Sequence, residues 1–251
     1  MSSLPAEENH IILYLLSLLQ EGKSYPVIRS SIFAIKYFHR VIGYQDPCNG
    51  DLISYILEGI KRLSCHIPKK KTPITPQQLH TLYIQLGGLN MHLLNLRTIL
   101  ICVLSFMGFL RFSEVINLRF SDIILKETHM SIFIEKSKTD IYREGYWLHL
   151  SKLQSVLCPL KLFRKYISRA NVNELTDKFI FRQISHSKRG YKLKEVDKPI
   201  SYTTVREILL TELGKMGLNA KQFGLHSLRS GGATAAAKFG VNDRLFQNNE
   251  G

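Results

Sequence analysis

Between Ile67 and Pro76 the chain reads IPKKKTPITP, three lysines set between prolines. Neither a helix nor a central strand can run through this stretch, because each proline removes a backbone donor and restricts the residue before it. Whatever the chain folds into must therefore be built on either side of it, and residues 68–74 are expected to be a basic linker. The 251 residues are enough for one large domain or two modest ones.

Upstream, the apolar spacing predicts three helices. The segment EENHIILYLLSLLQEG carries apolar residues on a broad face and stops near Gly22. Ser24 is the expected N-cap of the next helix, with Pro26 in its first turn and Gly43 at its end. A third runs through DLISYILEGIKRLSCH, with Leu52, Ile53, Ile56, Leu57 and Ile60 as its apolar face. Downstream, Thr75, Pro76 and Gln78 form a capping-box signature for a helix ending at Gly87-Gly88. Residues 90–106 predict a helix buried on most sides, and a further helix is expected over 113–120. The period then shifts to two. HMSIFIE and YWLHL alternate as strands, with a polar turn-like segment between them, which predicts a β-hairpin. A helix from Pro159, a short strand KFIF, a basic loop over 182–198 and helices over 201–215 and 226–239 complete the reading. The fold class is mostly α with a small β-hairpin or sheet.

Charge narrows the function. Thirty-four Lys and Arg against 20 Asp and Glu give a net charge of +14. From Gly59 to Ser113 there is no acid at all, while Lys61, Arg62, Lys69, Lys70, Lys71, Arg97 and Arg111 are all cationic. A one-signed surface of this kind suits a polyanion, because neutralising phosphates releases condensed counterions, although on charge alone a membrane surface or plain solubility would also fit. Four scattered cysteines, Cys48, Cys65, Cys102 and Cys158, suggest neither a zinc site nor a disulfide framework. Neither apolar run reads as a signal peptide or a membrane span, so the expected setting is intracellular, and nuclear if the source is eukaryotic.

Three segments carry residues suited to phosphate chemistry. In GFLRFSEVINLRFSDI, Arg111 stands three residues before Glu114. Taken alone this is an ordinary surface pair worth little. Lys136 and Lys138 lie at the expected hairpin tip in EKSKTD, where lysines commonly serve only as edge protection. In GLHSLRSGGATAAAKFGV, His226 and Arg229 are three apart and share a helical face. Gly231, Gly232, Ala233, Ala235, Ala236 and Ala237 there give the helix a surface another backbone can approach closely.

In this order, Arg at a helix start, Lys on a hairpin, then His-x-x-Arg before a small-residue helix, the set resembles the catalytic domain of the tyrosine recombinases, or phage integrases. The resemblance extends to the front of the chain, where PCNGDLISYILEGIKR followed by KKKTPITPQQL looks like the junction between the family's helical domain and its catalytic domain. It implies a helical, core-binding (SAM-like) DNA-clamping domain over residues 1–67, the linker, and a recombinase-like domain over 75–251. It implies double-stranded DNA as partner, a homo-oligomer on DNA as one possible assembly, and no metal, small-molecule cofactor or membrane. In this family a tyrosine attacks a phosphodiester, becomes joined to the 3′-phosphate and later yields to a 5′-hydroxyl. Arg111 and Arg229 correspond to the two arginines that grip the non-bridging oxygens. Lys138, with Lys136 as the alternative, matches the general acid, His226 the proton-handling or phosphate-binding histidine, and Glu114 a residue that holds the site in shape. Lys61, Arg62, Lys69, Lys70 and Lys71 are the expected DNA contacts.

The chain departs from the pattern in one respect. The family's nucleophilic tyrosine follows the His-x-x-Arg helix, but none of the 22 residues after Arg229 is Tyr, Trp or His, and the last tyrosine is Tyr202. The expectation is a phosphate-gripping pocket without its nucleophile, inactive by itself. Two other readings remain open: a non-catalytic DNA-binding module derived from a mobile element, and an interaction scaffold reusing the fold. The scaffold alone predicts no salt-dependent DNA affinity.

Overall fold

The computed structural model describes residues 4–64, 70–135, 144–172, 176–188 and 190–240. The chain divides into two units, Met1–Lys69 and Lys70–Gly251.

The first unit is built from three helices, α1 (Glu8–Gln20), α2 (Tyr25–Ile42) and α3 (Asp51–Leu63). Its core is small: Ile11, Leu15, Ile28, Ile32, Cys48, Ile53 and Ile60. Ser24 occupies the N-cap position of α2, although its side chain makes no capping hydrogen bond, and Gly43 closes that helix in the left-handed conformation with φ 82°. Leu52, expected on the buried face of α3, is exposed, while Ile53 and Ile60 are buried in this core and Ile56 and Leu57 pack against it. Buried His39 ties the entry segment to α2. Its Nε2 accepts from the Ala6 amide while Nδ1 meets the Ile35 carbonyl, which fixes the Nδ1–H tautomer.

The second unit surrounds one long buried helix. After α4 (Pro76–Gln85) comes α5 (Leu93–Met107), whose residues from Leu96 to Phe106 are all buried. A helix apolar all round has to be enclosed, and α4, α7 (Pro159–Ala170), α8 (Tyr202–Lys215) and α9 (His226–Lys238) pack against it. The capping box at α4 is present in both directions: Gln78 N–H donates to Thr75 Oγ1 at 3.1 Å, and Thr75 N–H donates to Gln78 Oε1 at 2.9 Å. The short α6 (Phe112–Ile116) ends sooner than its apolar pattern suggests, at Asn117. Next come β1 (Ile123–Leu125), β2 (His129–Ile134) and β3 (Tyr146–Ser151), an antiparallel sheet in the order β1-β2-β3. In the β2–β3 pairing Ile134 lies opposite Tyr146 and Ile132 opposite Leu148.

Three details differ from the sequence reading. The sheet has a third strand, β1, too short to show periodicity. KFIF is not a strand; Phe179 makes only an isolated bridge with Arg119. The 182–198 stretch is not an irregular loop, since β4 (Ile184–Ser187) and β5 (Gly190–Leu193) pair as a hairpin with Gly190 at φ 107°. β4 is largely exposed and Leu193 is the only fully buried residue of β5, so no clear alternation of apolar and polar residues marks them. This segment is fastened to α5 through Arg97, whose buried guanidinium donates to the Arg182 carbonyl at 2.7 Å.

The β4–β5 hairpin also places rings over the start of α5. Tyr191 stacks on His92 with centroids 4.5 Å apart, and His186 lies 4.5 Å from Tyr191 as well. His92 is the N-cap, its Nδ1 accepting from Asn95 N–H at 3.4 Å, so it serves only while neutral. Burial, and then the neighbouring His186, hold its pKa below the usual histidine value. The folded chain thus refuses a proton that the unfolded chain takes below about pH 6.5, so stability falls as pH drops through that value. In urea titrations at pH 7.5 and pH 5.5, His92→Asn keeps a capping side chain and should remove part of the acid loss. An identical loss in the variant would assign the effect to other groups.

Candidate functional site

Arg111 enters the site from a strained turn. Helix α5 ends at Gly108, and Phe109 follows with φ 51°, a left-handed backbone that costs a residue with a Cβ on the order of 1 kcal/mol. Gly108 is needed here because a Cβ would meet Leu148 and Leu110. The turn delivers Arg111 to the N-cap of α6, where Glu114 holds it twice. One Glu114 oxygen accepts from the Arg111 backbone N–H at 2.6 Å, and the other accepts from its Nη1 at 2.9 Å. The Glu114 side chain is 3% exposed and that of Arg111 is 25%. A carboxylate this buried fixes the guanidinium's direction.

Arg229 comes from α9. That helix lies directly on two backbones: a Cβ on Gly232 would overlap the Phe106 carbonyl oxygen at the end of α5, and one on Gly231 would overlap the Ile74 carbonyl oxygen. Ile74 is itself tied to the helix by its N–H, which donates to the Ser227 carbonyl at 2.9 Å. The small residues of α9 are therefore used for close approach. Arg229 stands one turn before Gly232, partly buried, and exposed His226 stands one turn before Arg229.

The charges of both arginines act on one phenol. Burial raises the pKa of Tyr146; Glu114 raises it further, while Arg229 and Arg111 act in the opposite direction. Arg111, Glu114 and Arg229 are thus all within electrostatic range of the first residue of β3, although 118 positions separate Arg111 from Arg229 in the chain. Tyr146 is a residue of this cluster that sequence reasoning did not single out. The available signal was the alternation in YWLHL, which puts Tyr146 on the same face as Leu148 and Leu150.

Lys136 and Lys138 lie outside the described residues, as does Lys69. Of the other basic residues, Lys61 and Arg62 end α3 and are exposed, with the Lys61 ammonium 3.4 Å from Glu58. Lys70 is exposed, and Lys71 donates from Nζ to the Lys221 carbonyl at 2.6 Å. Glu114 also lines a cavity of about 360 Å³, together with Asp122, Glu135, Arg119 and Phe179. Three carboxylates make it unsuited to an anion.

Comparison with known proteins gives a consistent picture. The family model described as phage integrase family matches residues 73–251. An integrase/recombinase xerD homolog from Selenomonas ruminantium is 25% identical over 247 residues, covering 96% of this chain and 69% of that protein. Among solved structures, XerH site-specific recombinase bound to difH substrate, in a pre-cleavage complex, superposes with a TM-score of 0.64 at 16% identity. The match covers 96% of this chain and 63% of that one. The Tn1549 transposon integrase in complex with circular intermediate DNA gives 0.58 at 16% identity, over 97% and 76%. A lambda integrase dimer bound to a COC′ core site gives 0.58 at 16% identity, over 98% and 61%. At these identities the structural matches establish the fold. Among the described residues, no helix is long and apolar enough to cross a membrane.

Proposed function

This chain belongs to the phage integrase family, and from that premise we propose that it binds duplex DNA and holds one backbone phosphate between Arg111 and Arg229 during DNA strand exchange. The observation that carries this reading is the buried Glu114 that aims Arg111, together with the charges of both guanidiniums acting on one phenol, that of Tyr146. In the phosphoryl transfer of this family, negative charge grows on the non-bridging oxygens as a tyrosine attacks and the 5′-oxygen departs. Two guanidiniums fixed before the reaction stabilise that charge without reorganising. Glu114 neutralises one arginine in part, so the two cations do not face each other unopposed before phosphate binds. Lys138, or Lys136, is the proposed general acid, and exposed His226 assists at the same phosphate. Residues 1–67 are the proposed clamp, 68–74 the linker and 75–251 the catalytic part, with Lys61, Arg62, Lys69, Lys70 and Lys71 contacting the duplex. The XerH, Tn1549 and lambda structures hold DNA, and the last is a dimer on it; duplex DNA and assembly on DNA are proposed here on the same grounds.

The test is the salt dependence of duplex binding in Arg111→Ala and Arg229→Ala. Removing one cation from a phosphate makes the slope of log affinity against log salt shallower by about one. Both variants should show that change with unaltered specificity and little change in melting temperature for Arg229→Ala. Slopes equal to that of the parent chain in both would mean that neither arginine meets a phosphate.

A further inference from the structure

Tyr146 is the phenol on which the charges of Arg111, Glu114 and Arg229 act. It opens β3 on the side that carries Leu148 and Leu150, the core-facing side, opposite Ile134 of β2. Leu148 presses against Gly108, where an added Cβ would lie 2.8 Å from its Cδ2. Two residues along one face of a strand is about 7 Å, and Arg111 follows three residues after the Gly108 on which Leu148 packs. Arg229 stands one turn before Gly232, which contacts Phe106 at the end of α5. The end of α5, β3 and α9 line one cavity, with Phe106, Leu150 and Gly232 in its wall, and the charges of Arg111, Glu114 and Arg229 all act on the phenol.

We infer that the Tyr146 hydroxyl is a third ligand of the phosphate gripped by Arg111 and Arg229, donating a hydrogen bond to a non-bridging oxygen of a DNA phosphodiester. This rests on the reading of the arginine pocket given above. Two guanidinium forks leave acceptor capacity on those oxygens, and a neutral hydroxyl fills it without adding charge to a pocket that already holds two cations. A phenol is protonated at neutral pH, the state that can donate, and burial and Glu114 push its pKa further up, against Arg229 and Arg111. The same environment makes Tyr146 a poor attacking group, because a nucleophilic phenol needs its pKa lowered. Its role is to hold the phosphate and to add a donor that strengthens as charge develops on the oxygen.

The experiment uses the full 251-residue chain and inorganic phosphate, titrated calorimetrically at constant ionic strength and pH 7.5. The proteins compared are the parent chain, Tyr146→Phe and Arg229→Ala. Tyr146→Phe keeps the ring and its packing, so its urea midpoint should match the parent, while its phosphate affinity falls about tenfold, the effect of losing a hydrogen bond to a charged group. Arg229→Ala should fall by at least as much. If Arg229→Ala weakens binding and Tyr146→Phe does not, the arginine pocket stands and the assignment of Tyr146 is overturned. If neither variant changes the affinity, the pocket reading itself fails, and the third ligand with it. A fall of phosphate affinity in Tyr146→Phe accompanied by an equal fall at a second, unrelated anion such as chloride would also overturn the assignment, since it would reflect a general loss of positive potential.

Discussion

Between 50 and 200 mM salt, the affinity of this chain for duplex DNA falls by about a thousandfold. The expectation follows from counting phosphates. For B-form DNA the slope of log affinity against log salt is about −0.9 for each phosphate neutralised, so about six contacts across a fourfold rise in salt cost roughly three decades. The chain has the charge to make them, with a net +14 and no acid between Gly59 and Ser113. Some of those cations are partly engaged within the protein: Lys61 lies beside Glu58, and Lys71 donates to the Lys221 carbonyl. Both are exposed, and exposed ion pairs of that kind are worth under about 1 kcal/mol, too little to withhold a lysine from a phosphate. Fluorescence anisotropy of a labelled duplex across a salt series measures the slope directly. A response below about tenfold would leave no room for six phosphate contacts, and the interaction-scaffold reading would then be the one to pursue.

How much of this was legible in the sequence follows the physics of each element. Helix α4 was readable to the residue at its start because Thr75, Pro76 and Gln78 act locally, through hydrogen bonds spanning three positions. Helix α5 was readable because nothing but full enclosure explains its unbroken apolar run. Arg111 with Glu114, and His226 with Arg229, were each ordinary as pairs; only their order together, through its resemblance to the tyrosine recombinases, pointed to phosphate chemistry. The β4–β5 hairpin was not legible, because only Leu193 of its eight strand residues is fully buried and the hairpin is held by Tyr191 against His92 and by Arg97 on the Arg182 carbonyl. Those are long-range contacts that leave no period behind. Tyr146 escaped for a related reason. Its side was readable from the alternation in YWLHL, but the charges that act on it belong to α6 and α9, and only the folded chain brings them into range.

Gly232→Val should be the most damaging single substitution in the second unit, costing about 3–5 kcal/mol, a large part of the 5–15 kcal/mol that typically holds a domain together. The obstacle is backbone on both sides. A Cβ at Gly232 would overlap the Phe106 carbonyl oxygen and crowd its carbon and the Phe109 ring, and Phe109 already sits at positive φ and has little freedom to yield. Side chains can turn aside at modest cost, but the last turn of a buried helix cannot, so α9 must move off α5. That movement also withdraws Arg229, one turn away, from Arg111 and Tyr146. Urea unfolding measures the loss, and Thr234→Ala is the control: it lies on the same helix, is exposed, and should stay within about 0.5 kcal/mol of the parent. Any Gly232→Val protein that remains folded should bind phosphate more weakly, because the arginine is displaced even where the helix survives. A variant within about 1 kcal/mol of the parent, with phosphate affinity intact, would show that α9 does not rest on Phe106. The position of Arg229 would then need another cause.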